Sequence, residues 1–152
     1  MRILFICTGN TCRSPMAEGL MKKIILDQQC EGIEISSAGI AVFEEGGASE
    51  NAIEAAAQLA VDLTSHQAKQ FNTQMLAQAD VVLTMTHQHK RSVLKAVPNA
   101  NAFTVRAYAG HDGDVIDPYG GDLATYCACR DELVHLLLKI TEKIVVEKKD
   151  GC

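Results

Sequence analysis

The spacing of apolar residues changes several times along the chain, and each change marks an element. Residues 2 to 6, Arg2-Ile3-Leu4-Phe5-Ile6, form an apolar run bounded by Gly9, as expected for a central strand buried on both faces. Ser14 before Pro15 suits an N-cap followed by a first helical position. Ala17, Leu20, Met21, Ile24 and Ile25 then recur at helical spacing and give that helix one core-facing side. Ile33 and Ile35 alternate in a short second strand ending at Ser36-Ser37-Ala38-Gly39. Ala52, Ala55, Ala56, Leu59 and Ala60 predict a close-packing helix, and Thr73 to Ala79 a shorter one. Val81-Val82-Leu83 reads as a third strand, residues 87 to 96 as a helix, and Phe103-Thr104-Val105 as a fourth strand. Leu123, Tyr126, Cys127, Leu133, Val134, Leu137, Leu138, Ile144 and Val145 hold a helical period to the end, where residues 147–152 are expected to form a frayed, mobile tail. Strands alternating with helices predict an α/β fold on a parallel sheet.

One connection breaks this rhythm. From Tyr108 to Asp122 the chain carries four glycines, a proline and four aspartates, too irregular for an element and longer than an ordinary link. Loops of this kind are often functional.

A length of 152 residues fits a single domain, residues 1–152, and 47% hydrophobic with 22% charged residues excludes the disordered class. No segment approaches the run of about 18 apolar residues that crosses a bilayer, and the apolar run after Met1-Arg2 is too short for a signal-peptide core. A cytoplasmic location without membrane contact is therefore expected; the chain is also expected to be a monomer. A net charge of −5 argues against nucleic acid as a partner, so capture of an anion would have to be local. The cysteines at 7, 12, 30, 127, 129 and 152 lack disulfide or metal spacing and are read singly.

The segment Cys7-Thr8-Gly9-Asn10-Thr11-Cys12-Arg13-Ser14 lies between a buried strand and a helix N-terminus, where backbone N–H groups and the helix dipole favour an anion. A cysteine at its head and an arginine six positions later place a thiol and a two-pronged guanidinium around one phosphorus. Positive surroundings favour the thiolate form of a thiol, and Ser14 can donate to it. Gly9 permits backbone angles closed to other residues, while Asn10 tolerates them and ties the loop together. A packing cysteine would need neither the arginine nor the helix start.

Expelling a leaving group from phosphorus is easier with an acid. Asp117, fixed in extended geometry by Pro118 and followed by Tyr119 as a pocket wall, is one candidate. Asp112, Asp114 and Asp122 are rivals, and an aspartate in an Asp-Pro-Tyr-Gly-Gly turn is more often turn chemistry alone.

The stretch from Cys7 through Arg13-Ser14-Pro15-Met16-Ala17-Glu18, with Asp117-Pro118-Tyr119-Gly120, resembles the low-molecular-weight protein-tyrosine-phosphatase family over essentially the whole chain. Ser37-Ala38-Gly39, Asp62 to His66, Ala79 to Met85 and the Arg130-Asp131-Glu132-Leu133 run carry the resemblance further. It implies a three-layer domain, a four-stranded parallel sheet with helices on both faces. It also implies that Cys7 forms a phosphocysteine, that Arg13 and the amides of Thr8 to Ser14 hold the phosphoryl group, and that Asp117 protonates the leaving group before activating water. Cofactor and metal are not implied.

Thr11 departs from the apolar residue usual in tyrosine phosphatases. With Met85-Thr86-His87-Gln88-His89-Lys90 and Gly113 to Gly121 it resembles the bacterial protein-arginine-phosphatase branch, which implies phosphoarginine proteins as substrates, phosphotyrosine being the alternative. A thiol-dependent arsenate reductase would need relay cysteines that residues 31 to 126 lack; a phosphocysteine carrier or phosphopeptide-binding module would not need Asp117. Cys12 is read either as a partner protecting an oxidised Cys7 or as a small buried filler. Cys127 and Cys129 point to different helix faces, and Cys152 is a tail thiol. His87 and His89 are expected to be exposed or helix-capping, His66 supports the loop, and Glu44-Glu45 is a solvated pair.

Overall fold

A computed structural model describes residues 1–43 and 46–150; Glu44, Glu45 and Cys152 lie outside the described residues. Four strands, β1 (Arg2–Cys7), β2 (Glu34–Gly39), β3 (Val81–Thr84) and β4 (Ala102–Thr104), form one parallel sheet in the order β2-β1-β3-β4. The helices are α1 (Arg13–Asp27), α2 (Glu50–Ala57), α3 (Thr73–Gln78), α4 (His87–Ala96), α5 (Val105–Tyr108) and α6 (Leu123–Asp150).

Why β1 is apolar throughout is visible in its two faces. Ile3, Phe5 and Cys7 enter a core shared with α1, α2, α5 and α6, while Leu4 and Ile6 enter a second core beneath α3 and α4. A strand covered on both sides has no solvent face to supply polar alternation. The sheet also reverses its winding at β1: the chain passes to β2 on one side and to β3 on the other. Such a switch point opens a crevice at the carboxyl end of the strand, which here is Cys7.

Several element ends differ from the sequence reading, each for a local reason. Four helices are capped by a side chain three residues ahead of the amide it accepts from: Ser49 for α2, Asn72 for α3, Thr86 for α4 and Thr104 for α5. The Thr104 cap ends β4 one residue before Val105, which starts a helix the pattern missed. Ala60, at φ +60°, turns the chain after α2, so Leu59 and Ala60 lie beyond the helix. At the C-terminus α6 runs to Asp150.

The start of α1 carries the largest correction. Its N-cap is Cys12, whose side chain makes no capping hydrogen bond to the helix, so Ser14 and Pro15 are the second and third helical residues. Proline costs nothing there, because none of the first four amides has an intrahelical acceptor. The Ser14 hydroxyl is thereby free for other work. Among the described residues no helix is long and apolar enough to cross a membrane.

Candidate active site

The loop after β1 is held by its carbonyls. Cys7 O accepts from Ile40 N (3.0 Å), Thr8 O from Ala41 N (2.9 Å), Thr11 O from Ser49 N (2.9 Å) and Cys12 O from Met16 N (3.2 Å). Asn10 O accepts from His66 Nε2 at 2.8 Å, which requires that nitrogen to carry the proton. In a trans peptide the N–H points opposite to the C=O, so carbonyls bonded outward turn the intervening amides inward. Together with the uncapped start of α1, this makes an anion cradle from backbone alone.

Asn10 fastens the loop from behind. It is fully buried at φ +57°, a left-handed conformation that asparagine tolerates. Its Nδ2 donates to Ser14 Oγ (2.8 Å) and Ser37 Oγ (2.9 Å), and its Oδ1 accepts from Lys69 N (3.0 Å). Ser37 in turn donates to Glu18 Oε1 at 2.6 Å. Because the Ser14 oxygen accepts from Asn10, its proton can go to Cys7 Sγ, 2.8 Å away. Gly9 does not adopt the left-handed angles expected of it; a Cβ there would meet only Thr11 Oγ1, at 3.7 Å. The glycine that close approach requires is Gly39, where a Cβ would lie 2.5 Å from Thr8 O and 3.0 Å from Asn10 N.

Of the expected site residues, Cys7, Thr8, Gly9, Thr11, Cys12, Arg13, Asp117 and Tyr119 line one cavity of about 270 Å³, joined by Ala41 and Phe43. Asn10 and Ser14 lie wholly buried behind it. Arg13 links its two sides: Nη1 donates to Val115 O at 2.9 Å, and Nη2 lies 3.5 Å from Asp117 Oδ2. Asp117 is half-exposed and accepts Tyr119 N on Oδ1 at 3.0 Å. Two of its rivals have carboxylates engaged elsewhere, and the third is held by its backbone. Asp114 accepts His87 N (2.9 Å), Asp122 accepts Thr125 N (2.9 Å) at the start of α6, and Asp112 offers its backbone carbonyl to Arg106. The hydrogen bonds from Thr125 hold the Asp122 carboxyl below the usual range.

The Tyr126 phenol and the Cys129 thiol are uncharged near pH 7. Burial pushes the Tyr126 phenol up to about 12, and its OH lies 3.4 Å from Cys12 Sγ. Burial also pushes the Cys129 thiol up to about 12.

Sequence reasoning misplaced one histidine. His89 is neither exposed nor a cap; it is buried in the first turn of α4, with Nε2 2.9 Å from Thr8 Oγ1. Burial, and then the Arg13 charge, depress its pKa to about 4, so it is neutral near pH 7. The signal was available: Thr86-His87-Gln88-His89 places His89 at the capped start of a helix that follows the carboxyl end of β3, beside β1. Phe43 was also missed, an exposed aromatic just beyond β2 at the same end of the sheet.

The same arrangement of elements occurs in known proteins. A protein-arginine-phosphatase of Bacillus subtilis is 39% identical, with 99% of each chain covered. The protein-tyrosine-phosphatase PtpB of Staphylococcus aureus is 38% identical, covering 95% of this chain and 99% of its own. A structure of the YwlE arginine phosphatase with a phosphorylated active-site serine superimposes with a TM-score of 0.90 at 37% identity, over 95% of both chains. The model of the low molecular weight phosphotyrosine protein phosphatases matches residues 2–150, and the chain belongs to that family.

Proposed function

We propose that this chain hydrolyses phosphoarginine residues in proteins through a phosphocysteine at Cys7. The observation that carries the reading is the convergence of Cys7, Arg13 and Asp117 on one cavity with Thr11 in its wall. The relatives named as arginine phosphatases support it, and the one named as a tyrosine phosphatase keeps phosphotyrosine as the second reading.

The Cys7 thiolate attacks phosphorus, forming the S–P bond as the P–N bond to the arginine side chain breaks. The loop amides and Arg13 hold the phosphoryl oxygens. Asp117 delivers a proton to the departing nitrogen, and its carboxylate pairs with the guanidinium so formed. Asp117 then takes a proton from water, which attacks phosphorus, breaks the S–P bond and releases inorganic phosphate. Thr11 narrows the cavity and offers a hydroxyl where an aliphatic residue would favour an aromatic ring. No cofactor enters these steps. Where a peroxide oxidises Cys7 to the sulfenic acid, the Cys12 thiol attacks that sulfur, water leaves, and the disulfide so formed blocks further oxidation. The protein works as a cytoplasmic monomer, with neither nucleic acid nor membrane as partner.

Specificity constants for phosphoarginine and phosphotyrosine peptides test the assignment, with phosphoarginine expected to be preferred. Thr11→Ile is expected to shift the ratio toward phosphotyrosine by about tenfold. An unchanged ratio removes Thr11 from the specificity argument.

A further inference from the structure

His89 joins the wall of the cavity to the far side of the sheet. Its side chain is buried, Nε2 is 2.9 Å from Thr8 Oγ1, and Nδ1 is buried with no hydrogen-bond partner among the described residues. Arg13, Asp114 and Asp117 are the charged groups that act on it. Thr8 itself lines the cavity, directly after Cys7.

These facts discriminate between the ways the pair can share protons. If Nε2 accepted from the Thr8 hydroxyl, Nδ1 would carry the proton and become a buried donor without an acceptor, an arrangement rare in folded proteins. The threonine would then present only lone pairs to an incoming anion. An imidazolium would keep the orphaned donor and add a buried charge near Arg13. If Nε2–H donates to Thr8 Oγ1, the atom left without a partner is a bare ring nitrogen. The Thr8 hydroxyl has then accepted one bond and its proton is uncommitted.

We propose that His89 is a positioning residue for the phosphate site: as the Nε2–H tautomer it donates to Thr8 Oγ1 and so commits the threonine hydroxyl proton to the anion in the cavity. The loop amides supply donors fixed by the backbone, whereas a hydroxyl rotates and can equally well present a lone pair. A neutral histidine removes that freedom without placing a second cation beside Arg13. The inference rests on the phosphate-binding part of the proposed function and not on the choice between phosphoarginine and phosphotyrosine.

Two measurements test it. Nitrogen-15 NMR of histidine-labelled protein, with the His89 signals assigned by their loss in His89→Gln, is expected to find the proton on Nε2 at neutral pH; a proton on Nδ1 overturns the proposal. Inorganic phosphate is the second probe, through its constant as a competitive inhibitor. Thr8→Val and His89→Phe are each expected to weaken phosphate binding by about tenfold, as for one hydrogen bond to a charged group. Their combination is expected to weaken it little further, because both remove the same donated proton. His89→Gln, whose amide can still donate to Thr8, is expected to recover most of the affinity. Effects that multiply, or a Thr8→Val protein that binds phosphate as the wild type does, overturn the proposal. Failure of the wild type to bind phosphate would instead defeat the underlying reading of the cavity. Should His89→Phe fail to fold, the tautomer and the Thr8→Val constant still decide.

Discussion

Residues 7–14 and residues 109–122 face each other across the cavity and are built on opposite terms. In the first, the carbonyls are bonded to surrounding amides, Asn10 satisfies its amide on three sides, and Cys7 is 3% exposed. In the second, Ile116 and Tyr119 are each 80% exposed, and Gly113 and Gly120 take positive φ. That loop is pinned at Val115, which is fully buried, donates its N–H to Met85 O and accepts from Arg13. Asp117 stands only two residues beyond the pin.

The difference matches what the proposed mechanism asks of each loop. Stabilising charge on a phosphoryl group requires donors whose orientation is settled before substrate arrives. Delivering a proton to a leaving group and later drawing one from water requires access to both, which a buried carboxylate would lack. Arg13 spans the two, so in the proposed mechanism the guanidinium that grips the anion also holds the loop of Asp117 in place.

The greatest expected effect separates binding from chemistry. Cys7→Ser is expected to abolish turnover while leaving phosphate binding intact, since the amides and Arg13 remain. Titration calorimetry with phosphate, beside an assay of released phosphate, checks both halves. Hydrolysis retained in that variant would refute the nucleophile.

A smaller effect is expected on the other side. Asp117→Asn is expected to lower kcat by about 10²- to 10⁴-fold for phosphoarginine and by much less for an activated aryl phosphate, whose leaving group departs without a proton. Equal losses for the two substrates would make Asp117 a positioning group and erase the division of labour between the loops.

How far the sequence revealed this division depends on how local each part is. The cradle is one strand end and one helix start, so Cys7, Arg13 and their neighbours are readable from spacing within eight residues. The sequence left four aspartates open as the acid, and the contacts that favour Asp117 in the proposed mechanism come from distant partners: His87 N takes Asp114, the α6 start takes Asp122, and Arg13 reaches Asp117. Ser37 and Glu18 behind Asn10 were invisible as a unit, since β2 and α1 bring them together. The periodicity of β4 continued into Val105 because a buried helical residue and a buried strand residue look alike over so short a run. His89 was misread because a histidine among charged and polar neighbours suggests solvent, whereas position three of a capped helix turned it inward.

The smallest effect concerns that histidine, which hydrogen-bonds to the first loop and is acted on by carboxylates of the second. Its pKa falls from an ordinary 6.5 to about 4 on folding, first through burial and then through Arg13, with Asp114 and Asp117 opposing. Between those values the unfolded chain binds a proton that the folded chain refuses, so stability is complete above pH 6.5 and declines as pH falls toward 4. The shift corresponds to about 3 kcal/mol over the full window. The carboxyls of Asp62 and Asp122, held below their usual range by hydrogen bonds from Thr64 and Thr125, lose their contribution at lower pH than this. Urea unfolding at pH 7.5 and pH 4.5 is therefore expected to reveal a loss in the wild type that His89→Gln largely removes. An equal loss in both proteins would mean that the seam between the two loops is not where acid first weakens the fold.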